Sequence, residues 1–244
     1  MNTKKQRLNF QSWDFNQGFT LIELLVVIMI IGALTAILVP TLSRVKENAK
    51  KTKCLSNVRQ LQIALQLYAD SNDGRVPPRD YEEGAVWVDR LEPYYTNRKL
   101  LHCPTDKKNV DQSYLMNGFI DYFAIHSFGS NWDEFFGAYK TGGFEGMKLF
   151  DIIKPADTIT IGEKRADPDE DSYMDIWPPE YGGSDHLTEV AHGKHGSRRN
   201  VRSSGSNYAF ADSSMRFLKY GTAFSPKNLW AVTPQFRNAP LPDL

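Results

Sequence analysis

The chain has 244 residues, with 29 Lys+Arg balanced by 29 Asp+Glu, five His and two Cys. Zero formal charge argues against a nucleic-acid binder, which carries a basic excess. Two cysteines are too few for a disulfide scaffold or a four-cysteine zinc site, and enough for one bridge.

A negative mean hydropathy makes the whole look soluble, but the first element contradicts that average. Residues 19–39 read FTLIELLVVIMIIGALTAILV and hold one charge, Glu23. As a helix at ~1.5 Å per residue they span about 31 Å, close to the hydrocarbon thickness of a bilayer. A cleaved signal peptide has a shorter apolar core and a small-residue cleavage site, whereas Pro40-Thr41-Leu42-Ser43-Arg44 follows here. A soluble core helix would alternate polar and apolar faces, and this run does not. Glu23 is costly in lipid, by up to ~3 kcal/mol at mid-depth. It needs a partner, or a place near the interface, where the cost is small.

Gln17-Gly18-Phe19-Thr20-Leu21-Ile22-Glu23-Leu24-Leu25-Val26-Val27 resembles the processing motif of type IV prepilins and type II secretion pseudopilins. The resemblance implies cleavage by a prepilin peptidase between Gly18 and Phe19, N-methylation of Phe19, and assembly through Glu23 and the apolar helix. Gly32 and Pro40 match a helix-weakening Gly and a kinking Pro of that family. Physically, Gly18 lets a protease approach the backbone. A new amine could pair with the Glu23 carboxylate of a neighbouring helix in low dielectric. Pro40 removes a backbone donor, so a bend or local melting is expected there. The charges disagree with the family's orientation. The 1–18 leader carries a formal +2 and residues 41–53 a formal +4, so the positive-inside rule alone puts the second flank in the cytoplasm. The family's peptidase acts on the cytoplasmic side, which favours a cytoplasmic leader and a periplasmic or extracellular head. Losing the leader removes three basic residues and one acidic residue, leaving a formal −2.

Beyond Pro40, Leu55, Val58, Leu61, Leu65 and Tyr68 recur at helical spacing, with Arg59, Gln60, Gln62 and Gln66 between them. Ser71-Asn72-Asp73-Gly74 and Pro77-Pro78 stop the helix. A tail anchor with a coiled-coil stalk is the bland alternative, but the stretch is too short for three or four heptads. Around Trp87, Leu91, Tyr94 and Tyr95 a pair of helical turns is expected. A strand is expected at 158–161. Tyr208 and Phe210, then Met215 and Phe217, alternate about a turn at Asp212-Ser213 and read as a hairpin. Residues 164–206 read mostly as loop, and 238–244 as a frayed end. The expected fold is α+β and pilin-like: leader 1–18, transmembrane helix 19–39, amphipathic continuation 40–71, and a small antiparallel-sheet head, 72–244.

Lys53-Cys54-Leu55-Ser56-Asn57-Val58-Arg59-Gln60-Leu61, Leu101-His102-Cys103-Pro104 and Ser113-Tyr114-Leu115-Met116-Asn117 resemble a large group of prepilin-like proteins. These end in a motif of His, nine residues, then Asp-Gly. The counterpart here is His195 and Asp212-Ser213, with sixteen residues between and Ser213 in place of Gly. In an oxidising compartment, Cys54 and Cys103 are expected to pair and tie the helix to the head. Two buried thiols are the alternative.

Asp167, Asp169, Asp171 and Asp175 offer hard oxygens at a spacing that suits Ca²⁺, as in the head loops of some pseudopilins, although the EF-hand pattern fails at Ser172 and Pro178. A solvated acidic loop is the plainer reading. His186, His192 and His195, beside Asp185 and Glu189, could hold zinc. H-E-x-x-H is absent, and nearby glycines favour surface histidines on a loop. No nucleophile elbow, Walker A loop or dinucleotide fingerprint occurs, so no motif supports an enzyme. Trp87, Trp132, Trp177 and Trp230 could line a glycan surface, but aromatic residues are more often core. The leading expectation is a filament subunit whose partners are a prepilin peptidase, pilin-like subunits and inner-membrane lipid. The alternative is a membrane-tethered protein that binds cargo or polysaccharide without polymerising.

Overall fold

The computed structural model describes residues 19–79, 86–107, 110, 112–141, 144–165, 172–178, 189–196 and 200–239. The chain divides into two units, 1–45 and 46–244. Helix α1, Leu21–Ser71, begins in the first and ends in the second.

In the first unit every helical side chain up to Val45 is exposed. Leu21, Ile28, Ile37 and Leu38 each show 60% or more of their surface. An apolar helix bare on all sides cannot remain in water and is made to be covered by lipid or by other helices. It is the one described helix long and apolar enough to cross a membrane. The helix runs through Pro40 without a break, so the local melting expected there is absent. Hydroxyls supply bonds around the proline: Thr41 Oγ1 donates to Leu38 O at 2.7 Å and Ser43 Oγ to Val39 O at 3.2 Å.

In the second unit α1 buries Cys54, Asn57, Val58, Leu61, Gln62, Ala64, Leu65 and Ala69. This face keeps the 3.6-residue period, but two of its members are polar. Asn57 Nδ2 donates to His102 O at 3.1 Å, and Gln62 Oε1 accepts from Thr160 Oγ1 at 2.6 Å. Buried amides cost little when so engaged. The helix ends where Asn72 Nδ2 caps Tyr68 O at 2.7 Å and Asp73 and Gly74 turn left-handed.

The head sheet has five strands: β1 Tyr114–Asn117, β2 Ile159–Glu163, β3 Tyr173–Met174, β4 Gly205–Phe210 and β5 Met215–Lys219, in the order β3-β1-β2-β4-β5. The expected long helix on a small sheet is present, but the sheet is mixed, because β3 runs parallel to β1. Helix α1 packs on one face with Tyr114, Met116, Ile161 and Ala209. Leu115, Ile159, Tyr208 and Phe210 face the other way, toward Phe224 and Trp230. Ile159 and Ile161 share parity yet face opposite sides, since the register shifts between them. Helix α2, Trp87–Arg90, and two short 3₁₀ turns at Glu92–Tyr94 and Arg98–Leu101 complete the helix side.

Helices α3, Ile120–Phe128, and α4, Trp132–Thr141, form an aromatic cluster of Phe128, Trp132, Phe135, Tyr139, Phe144 and Trp177. Trp87 and Trp230 are fully buried. These tryptophans therefore belong to packed clusters. The fully buried Asp121 ties α3 to the C-terminal segment by accepting from Val232 N, Thr233 N and Thr233 Oγ1 at 2.8–2.9 Å. Burial pushes its carboxyl above the usual range, with those donors opposing. The last helix, α5, is Pro234–Arg237.

Candidate functional site

At the start of α1, Thr20 and Glu23 form a reciprocal cap. Glu23 N donates to Thr20 Oγ1 at 3.3 Å, and Thr20 N donates to Glu23 Oε2 at 2.8 Å. The Thr20 hydroxyl adds a bond to the same carboxylate oxygen at 2.6 Å. This is a capping box, which satisfies two otherwise orphaned donors. Its signal in the sequence is the pattern Thr20-x-x-Glu23, which lies inside the processing motif. Phe19 stands 73% exposed immediately before it. Gly18 and the rest of the leader lie outside the described residues.

Farther along α1, Cys54 and Cys103 form a disulfide, with Cα atoms 5.3 Å apart across 49 residues of sequence. Both are fully buried. Cys103 follows the Arg98–Leu101 turn, and its N–H donates to Ser113 Oγ at 2.8 Å. The Asn57–His102 bond runs beside the bridge, one helical turn on. The helix is thus strapped to the head by a covalent and a polar tie.

His195 joins this place from a distant part of the chain. Its backbone pairs with Gly205, the first residue of β4, at 2.9 and 3.1 Å. A Cβ at Gly205 would lie 2.2 Å from Leu218 O, so that close approach needs glycine. The His195 Nε2 lies 2.7 Å from Glu163 Oε1 and 3.9 Å from Cys103 Sγ. Glu163 also accepts from Asn207 N at 2.8 Å and Asn207 Nδ2 at 3.0 Å. Beside it, Lys194 Nζ meets Asp106 Oδ2 at 2.6 Å, both nearly inaccessible. His192 is buried too, its ring centroid 5.2 Å from those of Tyr220 and Phe224. The expectation of surface histidines is therefore wrong for both, and they point into different surroundings. His186 and Asp185 lie outside the described residues. Nothing in the sequence singled out Glu163, one acid among 29 at a strand end.

Asp212 is at the opposite end of β4. Its Oδ1 accepts from Ser214 N at 2.9 Å, closing the turn into β5. His195 and Asp212 thus stand at the two ends of β4 and do not meet. Ser213 has φ +65°, the left-handed conformation that glycine adopts most readily. Restoring glycine should release that strain: Ser213→Gly is expected to raise stability by about 1 kcal/mol. A higher urea midpoint checks this, and a lower one would refute the steric account of the turn.

Of the acidic run, Asp167, Asp169 and Asp171 lie outside the described residues. Asp175 is buried in an ion pair with Arg79 and accepts from Tyr139 Oη at 3.2 Å. Its carboxylate is turned into the aromatic core, not out into a solvated loop.

Residues 14–39 match the prokaryotic N-terminal methylation motif. The chain is similar to type II secretion system core protein G of Escherichia coli K12, 38% identical over 84 residues, covering 34% of this chain and 58% of that protein. It is 30% identical over 143 residues to the same-named protein of Dickeya chrysanthemi, covering 52% of this chain and 93% of the relative. A ComG operon protein 3 homolog of Bacillus licheniformis is 30% identical over 91 residues, covering 37% of this chain and 84% of the relative. No solved structure matches the chain.

Proposed function

Because the chain belongs to the prepilin-like family that includes the type II secretion pseudopilins, we propose that it is a structural subunit of a secretion or pilus-like filament. The observation that carries this reading is the capped, bare apolar helix that starts directly after Gly18-Phe19. Prepilin peptidase removes residues 1–18 on the cytoplasmic face, and Phe19 becomes the methylated N-terminus. The helix then holds the chain as a single pass in the inner membrane, with the head outside the cytoplasm. The disulfide agrees with an oxidising compartment for the head. Assembly transfers the helix from lipid to a bundle of like helices, with no loss of apolar cover at any stage. Glu23 and the new amine are the charged pair of that bundle. Ca²⁺ would then have to be held by Asp167, Asp169 and Asp171, with Asp175 engaged by Arg79.

The test is made in cells that contain an active prepilin peptidase. N-terminal sequencing of the wild type should begin at Phe19, and Gly18→Val should retain Met1 and run more slowly on a gel. A wild type that keeps Met1 would sink the proposal. Glu23→Ala should be cleaved but fail to enter filaments. Normal incorporation of that variant would favour a tether that does not polymerise.

A further inference from the structure

The groups around the bridge have a second capacity. One ligand atom each from Cys54, Cys103, Glu163 and His195 lies within 4.8 Å of the others, and all four side chains are buried. Two thiolates, an imidazole and a carboxylate make a donor set of the kind that holds zinc. A tetrahedral zinc ion needs its ligand atoms roughly 3.3 to 3.8 Å apart. The imidazole nitrogen is already 3.9 Å from one sulfur and 2.7 Å from the carboxylate oxygen. The imidazole nitrogen and the carboxylate oxygen have to part by roughly half an ångström and the two sulfurs by more, which breaking their bond allows. Their Cα atoms are held 5.3 Å apart by the packing of α1 on the head.

The surroundings orient these groups as an outer shell orients metal ligands. Thr105 Oγ1 lies 3.3 Å from His195 Nδ1. That contact turns Nε2 toward the sulfurs and the carboxylate. Asn207 holds Glu163 through two bonds, and Ser113 fixes the backbone of Cys103. Such partners set ligand direction and basicity in known metal sites. Zinc with two thiolates and one carboxylate would leave a single negative charge, and Lys51 is close enough to Glu163 to feel it.

We propose that the disulfide and a zinc ion are alternative closures of the same strap: Cys54, Cys103, Glu163 and His195 bind one zinc ion when the bridge is reduced. A dithiol reductant delivers two electrons and two protons to the bridge and closes to its own disulfide. Zinc then displaces both thiol protons, and the imidazole binds through Nε2 in the tautomer that carries its proton on Nδ1, where Thr105 Oγ1 can accept it. The ion keeps α1 tied to the head where the covalent bond is lost. This site shares only His195 with the set His186, His192 and His195, because His192 packs elsewhere.

The full chain in detergent is reduced with a phosphine, freed of reductant and titrated with cobalt(II) as a spectroscopic stand-in for zinc. Expected is one equivalent bound, with thiolate charge-transfer absorption and the intense visible bands of a tetrahedral ion, all displaced by zinc. The oxidised chain should show none of this. His195→Ala and Glu163→Gln should each weaken binding by about tenfold or more, in proportion to a lost ligand. Zinc should raise the melting temperature of the reduced chain and protect both thiols from alkylation. No stoichiometric binding by the reduced chain overturns the proposal. So does binding that neither variant weakens, which would mark two thiols acting alone. If reduction unfolds the head, zinc must refold it, and failure to do so also overturns the proposal.

Discussion

Replacing both bridge cysteines, as Cys54→Ser with Cys103→Ser, is expected to lower the unfolding free energy of the head by about 4 kcal/mol. The estimate follows from the 49-residue separation, which sets how much freedom the unfolded chain regains when the bond is absent. Serine keeps the volume but places two hydroxyls where sulfur was fully buried, which does not reduce the loss. The head should still fold, because Asn57 retains its bond to His102 O and the α1 face keeps its apolar contacts. Urea unfolding in detergent, followed by tryptophan fluorescence of the buried Trp87 and Trp230, measures the difference. A double variant within about 1 kcal/mol of wild type would show that the unfolded chain is already restrained in that loop.

The second large effect is expected from Glu163→Ala. Three donors converge on this carboxylate from His195 and Asn207, in a place closed to water. Removing it strands all three, and breaking a buried polar pair in this way costs about 3–5 kcal/mol. Glu163→Gln keeps the volume and one acceptor, so its loss should be clearly smaller. The same urea titration reads both. Equal losses for the two variants would assign the effect to the charge and the second acceptor that both lack, since only alanine removes volume. Because His195 Nε2 also lies 3.9 Å from Cys103 Sγ, the cysteine and Glu163 losses should not add. A double-mutant cycle should return a coupling of at least about 0.5 kcal/mol.

The parts of the fold that the sequence discloses are those with a strong period or a sharp stop. The apolar run, the stop at Ser71–Gly74 and the hairpin about Asp212-Ser213 are of this kind, and each is found close to its expected place. The rest fails for identifiable reasons. Strand β1 is four residues buried on both faces, so no alternation marks it. Strand β3 is two residues long and depends on β1 for its partner. Helices α3 and α4 are crowded with aromatic residues of modest helix propensity, and their evidence is the cluster they build together. Gln62 reads as solvated from its type, yet Thr160 on β2 supplies its partner across the core. His195 reads as a surface residue because glycines flank it. Its burial comes from a backbone pairing with Gly205 and from Glu163, both of which only the folded chain brings near.

The reciprocal cap at Thr20 and Glu23 changes what docking between helices must accomplish. The carboxylate of the apolar run takes both bonds from its own chain's Thr20 on one oxygen, Oε2, and the proposed cleavage after Gly18 would leave that arrangement whole. An ionised carboxylate has further lone pairs, so a neighbour's terminal amine would find the second oxygen open, on a side chain that the cap already holds still. Docking in the proposed filament would then add an ion pair without undoing the cap. The rotational freedom of Glu23 would have been given up before the partner arrives, which lowers the cost of the encounter.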